Sequence, residues 1–126
     1  MIWIIDFILL ALIVVFFLYP RWTLKRNAKV VEAPEFERLM ATSQLIDVRE
    51  AADFRVKHIL GARNLPASHI EQSLNAINKK KPVLLYENGK PTASVKVAKQ
   101  LKKAGVPEVY ILKTGLNNWP GKIKNG

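Results

Sequence analysis

The segment ENGKPTAS, residues 87–94, brings an acid, an amide, a lysine and two hydroxyl groups together directly after the apolar run VLLY. A carboxylate beside a helix N-terminus and a lysine is expected to have a lowered pKa, because nearby positive charge stabilises its ionised form. Glu87 is then better suited to ion pairing than to general-base catalysis near neutral pH. We expect a structural or binding loop here, with a Glu87-dependent enzyme as the alternative. The loop consists of Glu87, Asn88, Gly89, Lys90, Pro91 and Thr92.

The chain contains no cysteine among its 126 residues. This absence excludes disulfides, cysteine-based metal sites, persulfide carriers and thiolate nucleophiles, because each of them needs sulfur. His58 is expected to bond local backbone in a turn, and His69 to lie on the surface at the start of a helix. No histidine and carboxylate stand at metal-ligand spacing, so we expect neither a metal nor another cofactor.

A second charged group, D-x-R-x-x-x-D, follows a short apolar strand. Charges at the C-terminal end of a strand can serve catalysis, since open α/β sheets bind ligands there. We interpret the group as structural instead. Arg49 and Asp53 are four residues apart and can form an ion pair, while Asp47 can accept backbone N–H bonds in the adjoining turn. His58 is assigned to the same bracing set.

Eight lysines occur between residues 79 and 103, against the single acid Glu87. On a helix starting at Thr92, the residues Val95, Ala98 and Leu101 share one face, which leaves most lysines facing outward. This basic face is a solvated surface, or it lies against anionic lipid or an acidic partner. Nucleic acid is not expected, because arginine and interleaved aromatic residues are missing. The binding candidates are Lys90, Lys96, Lys99 and Lys103.

Short β-type runs alternate with helical ones along the chain. The predicted strands cover residues 29–31, 45–48, 63–65, 83–86 and 109–112, and the predicted helices cover residues 34–42, 51–56, 68–77 and 92–105. Alternation of this kind is typical of an α/β fold with a parallel sheet covered by helices.

The stretch LIDVREAADFRVKHILGARNLP, residues 45–66, resembles the signature of rhodanese-like domains. The resemblance continues through VLLY and ends at VYILxxGxxxW, whose last residue is Trp119. It implies a five-stranded parallel sheet flanked by helices in residues 29–126. Lys57, Leu60 and Thr114 replace residues that are usually Gly, Pro and Gly in the family.

The rhodanese resemblance fails in the loop after VLLY. Rhodaneses place a cysteine there, followed by Gly, Arg and Ser, and their backbone amides hold the substrate sulfur or anion. Counting forward from the strand puts the cysteine position at Glu87, whereas counting back from the following helix puts it at Asn88. The arginine position falls near Thr92 or Ala93. The resemblance therefore implies a family member without thiosulfate sulfurtransferase activity.

The chain begins with MIWIIDFILLALIVVFFLY, in which Asp6 is the only charge. As a helix this run would be about 28 Å long, enough to cross a bilayer core. We expect a single-pass anchor at residues 1–20, a basic linker at 21–28 and the domain at 29–126. Arg21, Lys25, Arg26 and Lys29 follow the run and no basic residue precedes it, so the N-terminus is expected outside and the domain in the cytoplasm.

These features predict a non-catalytic module at the cytoplasmic face of a cell membrane, used for protein binding or scaffolding. Its expected partners are the lipid bilayer and an unknown cytoplasmic protein. The alternative is a sulfurtransferase-related enzyme that borrows a thiol from a partner, or an activity that depends on Glu87.

Overall fold

The computed structural model describes the backbone of residues 2–26 and 28–125, and the side chains of residues 2–16 and 28–125. Helix α1 covers Ile2–Arg26. No helix in these described parts is long and apolar enough to cross a membrane, so they do not support the predicted span. The side chains of residues 17–27, which complete the predicted anchor and most of the linker, lie outside the described residues.

Five parallel strands of the described chain form the main sheet. They are β1 (Lys29–Val31), β2 (Gln44–Asp47), β4 (Arg63–Asn64), β5 (Val83–Tyr86) and β6 (Val109–Leu112), arranged in the order β1-β6-β5-β2-β4. The sequence of β5 is apolar throughout and all four of its residues are buried, as is typical of a parallel strand covered on both faces. The predicted α/β fold with a five-stranded parallel sheet is confirmed.

Helices cover both faces of this sheet. Helix α2 (Ala33–Leu39) buries Phe36 in one apolar cluster, and α5 (Ala93–Lys103) buries Val97 and Leu101 in the other. Helix α3 (Ala51–Val56) follows β2, and the short α4 (Ile70–Ser73) follows β4. The two clusters fix β5 between them, because alternate side chains of a strand point to opposite faces.

Three details differ from the sequence-based predictions. Strands β3 (Lys57–Ile59) and β7 (Ile123–Asn125) form an antiparallel pair that local patterns did not reveal, since two three-residue segments far apart in sequence carry no periodicity. The predicted helix at residues 68–77 is a 3₁₀ turn, α4 and a second 3₁₀ turn. Helix α5 buries Ser94, Val97, Ala98 and Leu101, whereas Val95 is 37% exposed.

Candidate functional site

The loop between β5 and α5, residues 87–92, lies at the C-terminal edge of the parallel sheet. Its strand, β5, is the middle strand of the five, with β6 on one side and β2 on the other. Ligands of open α/β sheets bind at this edge, so the loop occupies the position that the sequence predicts for a site.

The Glu87 carboxylate accepts four hydrogen bonds from the start of α5. One oxygen, Oε1, accepts from the Thr92 backbone N–H at 3.2 Å and from the Thr92 hydroxyl at 2.9 Å. The other, Oε2, accepts from the Ser94 backbone N–H and the Ser94 hydroxyl, both at 2.6 Å. The first N–H groups of a helix have no partner within the helix. Glu87, the first residue after β5, therefore caps α5, and its negative charge suits the positive end of the helix dipole.

This environment holds Glu87 in its ionised form. Burial alone would raise the pKa of the Glu87 carboxyl, but the hydrogen bonds from Ser94 and Thr92 outweigh burial and lower it. A carboxylate with a lowered pKa and four donors on its oxygens is a poor proton acceptor at neutral pH. The predicted fall in the pKa is confirmed, although its cause is hydrogen bonding to the helix start and not a contact with Lys90.

The backbone of the loop is held by the segment after β6. The carbonyl oxygens of Glu87 and Asn88 accept hydrogen bonds from the N–H groups of Leu116 at 2.8 Å and Asn117 at 2.9 Å. Gly115 makes this approach possible. It has a φ of 67°, and a Cβ at this position would lie 2.6 Å from the Glu87 carbonyl oxygen and from Asn88 backbone carbon.

Arg49 connects the loop to the strand next to β5. Its guanidinium forms an ion pair with the fully buried Asp47 at 2.7 Å and donates a hydrogen bond to the Asn88 side-chain oxygen at 3.0 Å. It also donates to the Lys57 carbonyl oxygen at 2.6 Å. Burial would lower the pKa of Arg49, but the hydrogen bond and the charge of Asp47 raise it. Asn88 is thereby turned away from the Glu87 cap.

The structure corrects the predicted pairing of Arg49. No salt bridge joins Arg49 to Asp53 within the described residues, because the guanidinium folds back on Asp47 two positions earlier. The prediction that Asp47 accepts a backbone N–H is confirmed, since its Oδ1 accepts from the Arg49 N–H at 2.9 Å. Asp47 lies in β2 and Asp53 in the first turn of α3, and the charge of Asp53 makes a smaller contribution than that of Asp47 to the raised pKa of Arg49.

Two further side chains, Tyr86 and His58, bond to backbone groups of residues 54–59. The Tyr86 hydroxyl accepts a hydrogen bond from the Ile59 N–H at 3.0 Å, and burial followed by the charge of Asp47 raises the pKa of Tyr86 well above its usual value. The His58 ring contacts the Phe54 carbonyl oxygen through Nδ1 at 2.8 Å and stacks on the Phe54 ring. The local backbone bond predicted for His58 is confirmed. His69 precedes α4 and is exposed, as predicted.

The structure separates the four candidate lysines. Lys90 is exposed in the loop, and Lys96 borders a shallow hollow beside Ala67 and Ser68. Lys99 and Lys103 border a different groove, between α5 and β1. The four lysines therefore do not line a single groove. Within the described residues, no group of three or more His, Asp or Glu side chains is placed to hold a metal ion.

Sequence reasoning missed Ser94, Gly115 and Tyr86 as parts of the site. Ser94 carried a signal that was available, since a serine near a helix start often takes part in capping. Gly115 and Tyr86 stood in the motifs VYILxxGxxxW and VLLY, but nothing local pointed to their contacts, because their partners are 26 or more positions away along the chain.

Comparison with known proteins agrees with this architecture. The family model of the Rhodanese-like domain matches residues 32–122. The uncharacterized protein YqhL of Bacillus subtilis is 44% identical over 100 residues, which are 79% of this chain and 79% of that protein. The uncharacterized protein YibN of Escherichia coli K12 is 32% identical over 105 residues, with 79% of this chain and 73% of YibN covered. The thiosulfate sulfurtransferase GlpE of Coxiella burnetii is 33% identical over 76 residues, covering 60% of this chain and 69% of GlpE.

Among solved structures, a rhodanese-like domain protein from Staphylococcus aureus superposes with a TM-score of 0.68 and 22% identity, covering 78% of this chain and 98% of that one. At this identity the likeness concerns the fold alone. The family model spans most of the chain, and YqhL shares well over 30% of its residues across most of both proteins. The chain therefore belongs to the rhodanese-like domain family.

Proposed function

We propose that this protein is a non-catalytic rhodanese-like module that binds a cytoplasmic partner at the face of a membrane. One observation carries the proposal. The first residue after β5 is Glu87, and its carboxylate is taken up by four hydrogen bonds that cap α5. The side chain at the head of the loop thus stabilises the helix and has no free oxygen lone pairs aimed at a substrate.

Sulfur transfer through a persulfide requires a thiolate that attacks one sulfur atom and then carries it. The chain has no cysteine, so it cannot form that intermediate by itself. The cationic side chain that would stabilise a thiolate is also missing, because neither Thr92 nor Ala93 carries a charge. A partner thiol would have to enter a loop whose donors already bind Glu87, which disfavours the sulfurtransferase alternative.

A Glu87-dependent enzyme is disfavoured for a different reason. The lowered pKa of Glu87 reduces its basicity, and its oxygens are directed to Thr92 and Ser94. A general base must reach a substrate proton within hydrogen-bond distance. Glu87 could do so only by giving up the cap of α5.

The membrane position belongs to the same proposal and is supported by the N-terminal sequence. The apolar side chains of α1 that the structure describes are exposed, including Trp3, Ile8 and Leu12. Contiguous exposed apolar surface of this size indicates contact with lipid or protein. The basic residues that follow the apolar run favour a cytoplasmic domain.

A thiosulfate-to-cyanide transfer assay tests whether the module is non-catalytic. We expect no turnover from the full-length chain in non-ionic detergent, and measurable turnover from a Glu87→Cys variant. A cysteine at this position would face the N–H groups of Thr92 and Ser94, and helix-terminal donors lower a thiol pKa. An Asn88→Cys variant is the matched control, since the Asn88 side chain points to Arg49. Turnover by the unmodified chain would contradict the proposal.

A further inference from the structure

A groove runs between α5 and the edge strand β1, on the face of the sheet that α5 covers. Its volume is about 560 Å³. The apolar side chains of Val30, Val95 and Ile111 line it, and Val30 and Val95 are 48% and 37% exposed. Half-exposed valines on a strand and a helix that face each other leave room for an additional apolar side chain.

The border of the groove is basic. Lys99, Lys102 and Lys103 line it, and no acidic residue does in the part of the chain that the structure describes. Lys102 donates a hydrogen bond to the Pro107 carbonyl oxygen at 2.8 Å. The side chains of Lys99 and Lys103 form no hydrogen bond or ion pair within the described residues, so two ammonium groups remain available to carboxylates of a partner.

Strand β1 also offers backbone groups. Within the described residues it pairs with β6 alone. The Val31 carbonyl oxygen accepts a hydrogen bond from the Lys113 N–H at 2.9 Å, so Val31 directs its backbone toward β6. Successive residues of a strand direct their backbone groups to opposite sides. Val30 therefore directs its N–H and C=O away from the sheet while its side chain lines the groove.

We propose that this groove binds an acidic peptide segment of a partner protein, which pairs as an extended strand with β1 and inserts an apolar side chain between Val30 and Val95. The inference rests on the proposed binding function and names the chemistry of the partner. Main-chain pairing at a sheet edge supplies affinity, and alternate side chains supply specificity. Carboxylates two residues before and after the apolar side chain would lie on the same face of the peptide, toward Lys99 and Lys103.

A membrane surface is the competing occupant, but it fits fewer of these features. Anionic headgroups would contact exposed lysines of α5. A bilayer offers no extended backbone to Val30, and a planar surface does not require the apolar groove. The peptide accounts for the groove, the lysines and the free edge together.

The test is fluorescence anisotropy of a labelled ETLTETLTE peptide with the full-length chain in non-ionic detergent. We expect saturable binding that weakens as salt is raised, and about tenfold or more weaker binding of the QTLTQTLTQ peptide. A Lys99→Glu, Lys103→Glu double variant should weaken ETLTETLTE binding about tenfold or more. The matched control is Lys122→Glu with Lys124→Glu, which makes the same charge change on exposed residues near β7 and should leave binding unchanged.

A Val30→Pro variant tests the strand pairing separately from charge. Proline lacks an N–H, and at this position the lost N–H faces away from β6, so the main sheet keeps its hydrogen bonds. We expect the variant to lose most peptide binding while its circular dichroism spectrum stays that of the parent.

Unchanged binding in Val30→Pro, or no binding of the acidic peptide by the parent, would overturn the proposal. Binding to phosphatidylserine vesicles that needs Lys99 and Lys103 but not Val30 would overturn it in favour of lipid. None of these outcomes bears on sulfur transfer, so the assay with Glu87→Cys fails or succeeds independently.

Discussion

At the scale of single residues, Glu87 performs a structural task at the start of the loop that follows β5. Its carboxylate accepts hydrogen bonds from the backbone N–H groups of Thr92 and Ser94 and from the side-chain hydroxyl groups of the same two residues. A carboxylate carries the negative charge that the start of a helix favours. The side-chain oxygen of Asn88, one position later, accepts a hydrogen bond from the Arg49 guanidinium. The two residues that sequence counting could not tell apart therefore have different partners and different roles.

A Glu87→Gln variant should reduce the free energy of unfolding by about 1–2 kcal/mol at pH 7. The amide keeps one acceptor oxygen but presents N–H donors to groups that are themselves donors. Urea unfolding measures the loss, with Glu71→Gln as the control because Glu71 is exposed on α4 and should change stability by less than about 0.5 kcal/mol.

The effect of Glu87→Gln should depend on pH. The folded state lowers the pKa of Glu87 below the 4.5 of an unperturbed glutamate, so the stability that the ionised carboxylate contributes is fully present above pH 4.5. That contribution is lost as pH falls through the folded-state pKa, and the difference between parent and variant should then shrink. A difference that grew on acidification would contradict the assignment of Glu87 as an ionised cap.

At the scale of elements, the loop is rigid because a second segment holds it. The turn after β6 donates the N–H groups of Leu116 and Asn117 to the loop carbonyls, and Gly115 lets the two backbones approach. Its φ of 67° with a ψ of −169° belongs to a region that is essentially restricted to glycine. The conformation of residues 87–89 is therefore fixed from outside the loop.

A Gly115→Ala variant should lose about 2–4 kcal/mol of stability, because both backbone strain and a clash with the Glu87 and Asn88 backbone oppose the added Cβ. Gly61→Ala is the matched control. Gly61 also has a positive φ, of 91°, but a Cβ there would meet nothing within 4 Å. The loss of stability in each variant is measured by thermal unfolding. Equal losses in Gly115→Ala and Gly61→Ala would show that the close contact of Gly115 with the loop backbone is unimportant.

At the scale of the whole molecule, an apolar N-terminal helix precedes a basic α/β domain. The net charge of the chain is +10. A basic domain beside an anionic membrane surface is attracted to it, and the positive charge of the domain attracts acidic partners in solution. The groove between α5 and β1 starts two residues after α1 ends, since Ala28 lines it. A tethered domain would thus present the groove close to the membrane.

The proposed tether predicts that the full-length protein stays with the membrane fraction after alkaline carbonate extraction. A Leu10→Arg variant should move to the soluble fraction, because an arginine near the middle of the apolar run costs about 2.5–3.5 kcal/mol on insertion. Val56→Arg is the control, since Val56 is an exposed valine in the domain. Extraction of the parent chain by carbonate would contradict the tether.

The sequence by itself determined the fold class and the lost chemistry. Apolar runs such as VLLY and VYIL identified buried parallel strands, because the period of a pattern reports which faces are covered. The missing cysteine excluded persulfide chemistry without any structure, since composition decides which atoms are present. Local rules also gave the backbone bond of His58 and the lowered pKa of Glu87.

Only the tertiary structure decided which groups meet. It paired Arg49 with Asp47 and not Asp53, directed Glu87 to Ser94, and placed Gly115 against the loop. It also divided the lysines, so that Lys99 and Lys103 share a groove that Lys96 does not reach. These contacts join residues from separate elements or depend on the exact rotation of a helix. A one-dimensional pattern contains the periodicity of each element but not the distances between elements, and those distances decide the site.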